Sequence, residues 1–226
     1  MGDTGDGRWS IGHRIRPVTL AGRFVRLEPY EDRHYAALEA AADDPRIWEW
    51  MPTSWGGEKF AGLIEVIKAG YAEGRRLSFA IRRVADGSIV GLTEYLDIRL
   101  PDSCVEIGTW LAASEWSGPV NPESKFLLLE HAFERLACGR VQFRTDRLNE
   151  RSSRAIRKLG AVPEGVLRRE KCVQNGRVRD TCLFSILAEE WPAAGDGLRR
   201  RLDRFEASPT PPLATYCSPE AADAVC

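Results

Sequence analysis

The sequence predicts one α+β domain, in which a mostly antiparallel sheet of about seven strands is flanked by about four helices. Extended segments flank the dipeptides Asp86-Gly87 and Asn175-Gly176, and both dipeptides are strong hairpin signals. Apolar residues at helical spacing mark Glu58–Ala72 and the segment after Asn121-Pro122. The predicted order is β-β, α, α, β-β-β, α, β, α, β-β, which is typical of α+β architecture. No glycine-rich Rossmann or P-loop fingerprint occurs, so these two nucleotide folds are excluded.

Local signals justify each element in chain order. Ala21-Gly22 is a turn signal inside the extended stretch Val18–Leu27, and an alanine-rich run predicts a helix over Glu31–Ala42. Asn121 as N-cap and Pro122 at the first helical position predict the start of the clearest helix, and Gly139 predicts its end. The other predicted elements are the helix Glu58–Ala72, the strands Leu77–Val84, Ile89–Ile98, Val105–Leu111 and Val141–Thr145, the Arg-rich helix Asn149–Leu159, the strands Gly165–Gln174 and Val178–Leu187, and a charged helix over Leu198–Phe205.

Composition narrows the class of protein. A chain of 226 residues that is 43% hydrophobic, with seven Trp and eight Phe, suits one packed domain. The net charge of −1 excludes a general attraction to nucleic acid, although residues 140–180 hold twelve Lys or Arg against five Asp or Glu. The six Cys show no metal-ligand spacing, so no metal is expected. No secretory signal and no apolar run of ~18 residues occurs, which predicts a cytoplasmic protein without a membrane partner.

A candidate anion site lies where a predicted strand meets the N-terminus of a helix. The loop Trp116-Ser117-Gly118-Pro119-Val120-Asn121 would present free backbone N–H groups at the positive end of the helix dipole. Gly118 allows close approach of a ligand, and Lys125 lies one turn further along. An ordinary β–α connection, with no ligand, explains the same residues.

Four segments together carry a resemblance to a known family. From Val18 to Pro192 the chain resembles the GNAT superfamily of N-acetyltransferases, in particular the branch of the Rim-type ribosomal-protein N-terminal acetyltransferases. The resembling segments are Arg26-Leu27-Glu28-Pro29, Glu106-Ile107-Gly108-Thr109-Trp110-Leu111, Asn149-x-x-Ser152 running into Lys158-Leu159-Gly160-Ala161, and Glu164-Gly165 followed by Asn175-Gly176 and Asp180. Their order and spacing, more than any one of them, make the resemblance specific.

The resemblance implies a donor site for acetyl-CoA between two strands that splay apart. The strand with Trp110, Leu111 and Ala112 would leave its backbone groups to the pantetheine arm. The pyrophosphate would lie on Trp116, Ser117, Gly118, Val120 and Asn121, with Lys125 as a further charge. Asn149 would bind the arm, and Ser152 would stabilise or protonate the departing thiolate.

A carboxylate is implied as the general base, because the acceptor amine must lose a proton to attack the thioester. Glu106 is the first candidate and Glu94, on the preceding strand, is the second; each is equally explained as a surface glutamate. The resemblance places Trp48, Trp50 and Trp55 beside the acceptor cleft, where they would line an aromatic pocket or pack the first two helices onto the sheet.

The predicted organisation has four parts. Residues 1–16 are expected to be flexible, residues 17–192 to form the N-acetyltransferase domain, residues 193–206 to form a C-terminal helix, and residues 207–226 to be a disordered tail.

The predicted function is transfer of an acetyl group from acetyl-CoA to a primary amine, either a peptide α-amine or a small-molecule amine. The alternative is a non-catalytic acyl-CoA-binding or regulatory protein with the same fold. It is motivated by the phosphate loop, which departs from the family pattern by having a single Gly and by Pro119, a residue without an N–H. A nucleic-acid-binding module ranks third, because the basic region has only Phe143 before Phe184. A homodimer is left open.

Overall fold

The computed structural model describes residues 15–207, and these form one sheet covered by helices on both faces. The eight strands lie in the order β1-β2-β3-β4-β5-β6-β8-β7. Only β5 and β6 are parallel, so the predicted α+β class and the mostly antiparallel sheet are confirmed. The strands are β1 (Leu20–Ala21), β2 (Val25–Pro29), β3 (Leu77–Arg83), β4 (Ile89–Arg99), β5 (Cys104–Leu111), β6 (Arg140–Asp146), β7 (Val162–Cys172) and β8 (Val178–Leu187).

Within the described part of the chain, five α-helices connect or follow the strands. The third continues into a π-helical turn at His131–Arg135, and several short 3-10 turns precede or follow the others. The helices are α1 (Tyr35–Ala41), α2 (Phe60–Ala72), α3 (Val120–Glu130), α4 (Glu150–Arg157) and α5 (Trp191–Ala207).

Two apolar cores lie on opposite faces of the sheet. The larger joins the sheet to α3, α4 and α5, with Leu128, Phe143 and Phe184 among its fully buried side chains. The smaller joins the sheet to α1 and α2 and is centred on Trp48 and Phe60. Because side chains alternate along a strand, β3, β4 and β5 contribute to both cores, whereas β6 and β8 contribute only to the larger one.

The ends of α3 differ from the prediction. The helix begins at Val120 with Pro119 as N-cap, so Asn121 and Pro122 lie inside its first turn and Asn121 is not the cap. Both prolines fit, because the first N–H groups of a helix have no intrahelical partner to lose. At the other end Ala137 takes the left-handed conformation with φ 51°, and not Gly139 as predicted.

The C-terminal helix is longer than the charged helix predicted over Leu198–Phe205. It starts at Trp191, and Trp191, Leu198 and Leu202 are buried, the first two in the core beside α3. Ile15 is also buried in that core, at 8% exposure. Arg16 is exposed, and residues 1–14 of the predicted flexible segment 1–16, like the predicted tail beyond Ala207, lie outside the described residues.

Candidate active site

A gap opens between β5 and β6 in the middle of the sheet. The two strands pair only from Cys104–Glu106 to Arg140–Gln142. Beyond this point β5 continues to Leu111 along β4, and β6 continues to Asp146 along β8. Five residues of β5 and four of β6 therefore face each other without pairing, and the predicted splay is confirmed.

Backbone groups of β5 alternate between β4 and the gap. Ala112 N–H donates to the Val90 carbonyl of the neighbouring strand at 2.9 Å, which directs the backbone groups of Ala112 and Trp110 to β4. The same alternation directs those of Thr109 and Leu111 into the gap. Of the three residues predicted to offer backbone groups to the pantetheine arm, Leu111 is therefore the one that faces it.

Trp116 lies across the mouth of this gap. Its Nε1–H donates to the Leu111 carbonyl at 3.2 Å. The guanidinium of Arg151, on the first turn of α4, stacks on the Trp116 ring at 3.4 Å from the centroid, and Arg46 approaches it at 5.7 Å. The indole thus connects the end of β5 with α4 and occupies a carbonyl that would otherwise be open to a ligand.

The predicted phosphate loop is open at its tip. A Cβ on Gly118 would meet nothing within 4 Å, and Ser117 is exposed. No side chain caps α3, so the N–H groups of Val120 and Asn121 donate to no capping side chain. An uncapped helix N-terminus of this kind suits an anion, although Pro119 contributes no N–H.

Lys125 points away from this loop and into the protein. It is 7% exposed, and its ammonium donates to Thr109 Oγ1 beneath β5. Burial lowers the pKa of Lys125 to about 7. A direct phosphate contact, as the sequence suggested, would require this side chain to leave Thr109.

Asn149 and Ser152 lie at the start of α4, on the other side of the gap. Asn149 is the N-cap, and its Oδ1 accepts from Ser152 N–H at 2.9 Å. This is the structural role that the sequence also allowed. Within residues 15–207 neither the Ser152 hydroxyl nor the Asn149 amide nitrogen has a protein partner, so both remain able to bind a ligand.

Glu106 lies where the pairing of β5 and β6 ends, on the α1–α2 face of the sheet. Gln142 Nε2 donates to its Oε2 at 3.1 Å, and Arg144 Nε is 3.0 Å from the same oxygen but poorly aligned for a hydrogen bond. Burial raises the pKa of Glu106, while Arg144 and then Gln142 oppose the increase. Burial thus makes this carboxylate more basic than an exposed one, which favours a role in accepting a proton.

Glu94 lies on the same face, opposite Gly108 on β5. It is 8% exposed, accepts from Ser78 Oγ at 2.5 Å, and pairs with Arg76 at 3.1 Å. Burial raises its pKa, and Arg76 and Ser78 oppose this. Both contacts are to Oε1, and the side chain is more buried than that of Glu106, so Glu94 is less available to a substrate than Glu106.

Polar side chains of β6 form a network that the sequence analysis missed. Arg144 Nη1 is 3.2 Å from Glu170 on β7, and Thr181 Oγ1 donates to the same carboxylate at 2.6 Å. Asp146 has a fully buried side chain and accepts from Arg177 at 2.5 Å. The signal was visible as polar residues at alternate positions, Gln142-x-Arg144-x-Asp146, on a central strand.

The three predicted acceptor tryptophans differ in their surroundings. Trp48 is 2% exposed, donates to the Ala42 carbonyl at 2.8 Å and packs on Trp110 at 5.5 Å, so it belongs to the core. Trp55 lies against Gly62 on α2, where an added Cβ would be only 3.0 Å from the indole ring. Trp50 is half-buried, with Arg177 at 5.7 Å from its ring, and it alone meets the network around Asp146.

The β7–β8 hairpin contacts the segment that carries the predicted acceptor tryptophans. Gln174 donates from its side chain to the Trp48 carbonyl at 2.8 Å and from its backbone to the Pro52 carbonyl at 3.1 Å. These two bonds fix the hairpin against the segment between α1 and α2. Trp50 and Arg177, which contact each other, therefore lie where the hairpin meets this segment.

No group of three or more His, Cys, Asp or Glu side chains in the described range is placed to hold a metal ion. Cys104, Cys138, Cys172 and Cys182 are free thiols. No helix within residues 15–207 is long and apolar enough to cross a membrane.

Comparison with known proteins agrees with this geometry. A family model for the acetyltransferase (GNAT) domain matches residues 25–162. The N-acetyltransferase YoaA of Bacillus subtilis, itself uncharacterised, is 27% identical over 130 residues, which are 58% of this chain and 73% of YoaA.

Solved structures show the same fold. A GCN5-related N-acetyltransferase from Brucella melitensis is 27% identical with a TM-score of 0.77, over 84% of this chain and 87% of its own. Mycobacterium smegmatis RimJ, solved in complex with CoA-disulfide, is 26% identical with a TM-score of 0.71, over 82% of this chain and 95% of its own. With a divided sheet, an uncapped helix N-terminus beside the division and a family match over more than half its length, the chain belongs to the GNAT acetyltransferase family, and acetyl-CoA is its acyl donor.

Proposed function

We propose that this protein transfers the acetyl group of acetyl-CoA to a primary amine, either the α-amine of a peptide or an amine of a small molecule. The observation that carries the proposal is the gap between β5 and β6, with the Leu111 carbonyl facing it and Glu106 at its closed end. This arrangement supports a donor that enters beside α3 and an acceptor that approaches from the α1–α2 face.

The reaction is a direct transfer. The amine nitrogen attacks the thioester carbonyl carbon, Glu106 takes the proton that the amine loses, directly or through a water, and the C–S bond breaks. The CoA thiolate then receives a proton. Ser152, whose hydroxyl is free among residues 15–207, is the proposed donor to that sulfur.

Glu106 is preferred to Glu94 as the base because of its position. Glu106 lies at the point where the strands part, whereas Glu94 is enclosed by Arg76 and Ser78. Trp50 is the preferred acceptor-side tryptophan, because Trp48 and Trp55 are used in packing.

The test is a two-step measurement on the full chain. Calorimetric titration with acetyl-CoA comes first, followed by free-thiol release with peptides that have a free or a blocked α-amine and with small amines. We expect turnover that is lost in Glu106→Gln and slowed in Ser152→Ala, with acetyl-CoA affinity kept in both. Glu94→Gln is the matched control and should retain most of the activity. Absence of acetyl-CoA binding would contradict the donor assignment.

A non-catalytic acyl-CoA-binding protein is the second candidate. The contact of Trp116 with the Leu111 carbonyl favours it, because this contact occupies part of the donor site. Binding of acetyl-CoA without thiol release across the whole amine panel would support this candidate over the enzyme.

A further inference from the structure

A basic cleft lies between α4 and α5, on the face of the sheet that carries α3. Its volume is about 510 Å³, within the range typical of small-ligand sites. Four cationic side chains line it, Arg157 and Lys158 at the C-terminal end of α4 and Arg201 and Arg204 on α5. The floor is made of small residues that include Gly160 and Ala194.

The four cations lack carboxylate partners. Within residues 15–207 the acidic side chains of both helices pair elsewhere: Glu150 with Arg154, Asp196 with Arg199, and Asp203 and Glu206 with Arg23. None of the four cleft cations forms an ion pair with a described residue; Arg157 contacts the Phe184 ring at 5.2 Å, and Arg204 donates to the Arg200 carbonyl. Four like charges around one cleft repel each other, so their arrangement suits an anion that brings them together.

The helix dipoles do not explain why all four cations lie around this cleft. The C-terminus of α4 offers roughly half a negative charge to Arg157 and Lys158. Arg201 is about two turns from the end of α5, where the dipole has faded, and it is half-buried. Burial and then the neighbouring Arg204 lower the pKa of Arg201, which agrees with two guanidinium groups held close together.

The floor of the cleft is fixed by a close contact between the two helices. Gly160 has φ +94° and a Cβ there would lie 2.9 Å from Ala194 Cβ. Only glycine allows this approach without strain, so the spacing of α4 and α5 is set by the backbone. No exposed aromatic side chain lines the cleft, so stacking of a single-stranded nucleic acid is not supported.

We propose that the α4–α5 cleft binds a phosphate-bearing small ligand through Arg157, Lys158, Arg201 and Arg204. The site is distinct from the predicted donor site at the uncapped N-terminus of α3. It lies at the C-terminal end of α4, whereas Asn149 and Ser152 lie at the start of that helix, and it includes α5, which follows the end of the family match at residue 162. Two ligands have the required phosphate group: CoA, through its 3′-phosphate, and a separate nucleotide. The proposal does not depend on the acceptor or on Glu106.

The experiment titrates inorganic pyrophosphate and adenosine 3′,5′-bisphosphate into the full chain by calorimetry. We expect binding that weakens by at least about tenfold in R157Q/R201Q. Binding should recover to within about threefold of the original in R157K/R201K, which keeps both charges. Arg200→Gln is the matched control, because it removes a cation from α5 that does not line the cleft, and it should change affinity by less than about twofold. Equal melting temperatures of the variants show that the fold is kept.

A second arm distinguishes the sources. If the ligand is CoA, CoA binds more tightly than dephospho-CoA, and the difference disappears in R157Q/R201Q. If it is a separate nucleotide, the two CoA species bind equally and adenosine 3′,5′-bisphosphate still binds to protein saturated with CoA.

Three results would overturn the proposal. The first is no binding of either phosphate probe at millimolar concentration together with no preference for CoA over dephospho-CoA. The second is probe binding that R157Q/R201Q leaves unchanged. The third is an RNA oligonucleotide that binds more than about a hundredfold more tightly than pyrophosphate with the same sensitivity to R157Q/R201Q, which would make the cleft a nucleic-acid surface.

Discussion

Removal of the charge at Arg144 is expected to move the acidic limb of the pH–rate profile. Arg144 Nε lies 3.0 Å from Glu106 Oε2, and the two side chains are 30% and 15% exposed. If Glu106 is the base, activity falls as it becomes protonated, so the limb reports its pKa. Burial raises that pKa and Arg144 opposes the increase, so Arg144→Gln should move the limb to higher pH.

The contact distance sets the magnitude. At 3.0 Å the attraction is roughly 1.4 kcal/mol in a water-like medium and roughly 5 kcal/mol at an effective dielectric of 20. Partial exposure of both side chains favours the lower part of this range. Because one pKa unit is about 1.4 kcal/mol, we expect a shift of about one to two units. Gln142, Lys171 and Asp97 also act on Glu106 and are unchanged in the variant.

The assay is kcat/KM for thiol release between pH 5 and 9 with one fixed acceptor. Arg144→Lys keeps the charge and should leave the limb within about half a unit of its original position. In Glu106→Gln, where turnover is expected to be lost, any residual rate should lack this limb. A limb that stays in place in Arg144→Gln refutes the reasoning, and a limb that is lost in Glu94→Gln but kept in Glu106→Gln identifies the other carboxylate as the base.

Three further predictions concern single contacts. The pKa of Lys125, about 7 in the fold and about 10.4 unfolded, means that the unfolded chain binds one more proton between these values. The free energy of unfolding should therefore rise by about 1.4 kcal/mol per unit from pH 7 to 10, and urea melts of Lys125→Met should lack this slope. Trp116→Phe frees the Leu111 carbonyl while keeping a ring, so acetyl-CoA should bind about two- to tenfold more tightly in calorimetry; weaker binding would contradict the assigned contact. Glu123 accepts three backbone N–H bonds of 2.6 to 2.9 Å from the β1–β2 turn, and Glu123→Ala should cost at least about 3 kcal/mol of unfolding free energy in denaturant melts, whereas a loss under 1 kcal/mol would refute the role.

Local signals predicted most elements because their causes are local. Gly87 and Gly176 take φ values of 74° and 77°, which only glycine adopts freely, so the two hairpin turns were visible in the sequence. The apolar spacing of Glu58–Ala72 likewise reports the buried face of α2. The start of α3 was mispredicted because the sequence offers two prolines, and Pro119 and Pro122 both satisfy the backbone rules of a first turn.

The site was harder to predict, because its residues meet through strand register. Glu106 was found as a candidate from its strand, but its contact with Arg144 depends on the parallel pairing of β5 with β6. Glu170 on β7 contacts Arg144 on β6 across the intervening strand β8, and the pairing of β7 with β8 contains two register shifts. A shift of one residue would move each of these side chains to the opposite face, and nothing local in the sequence specifies the register.

Strand β5 connects the two halves of the proposed reaction through the alternation of its side chains. Thr109 points to α3, where it contacts Lys125, whereas Glu106 and Trp110 point to the α1–α2 face. The backbone of the same strand faces the gap through Leu111. Substitutions on the α1–α2 face should therefore change acceptor turnover and the pH profile, and substitutions beneath the strand should change stability or donor affinity. This separation follows from strand geometry and does not depend on the identity of the amine.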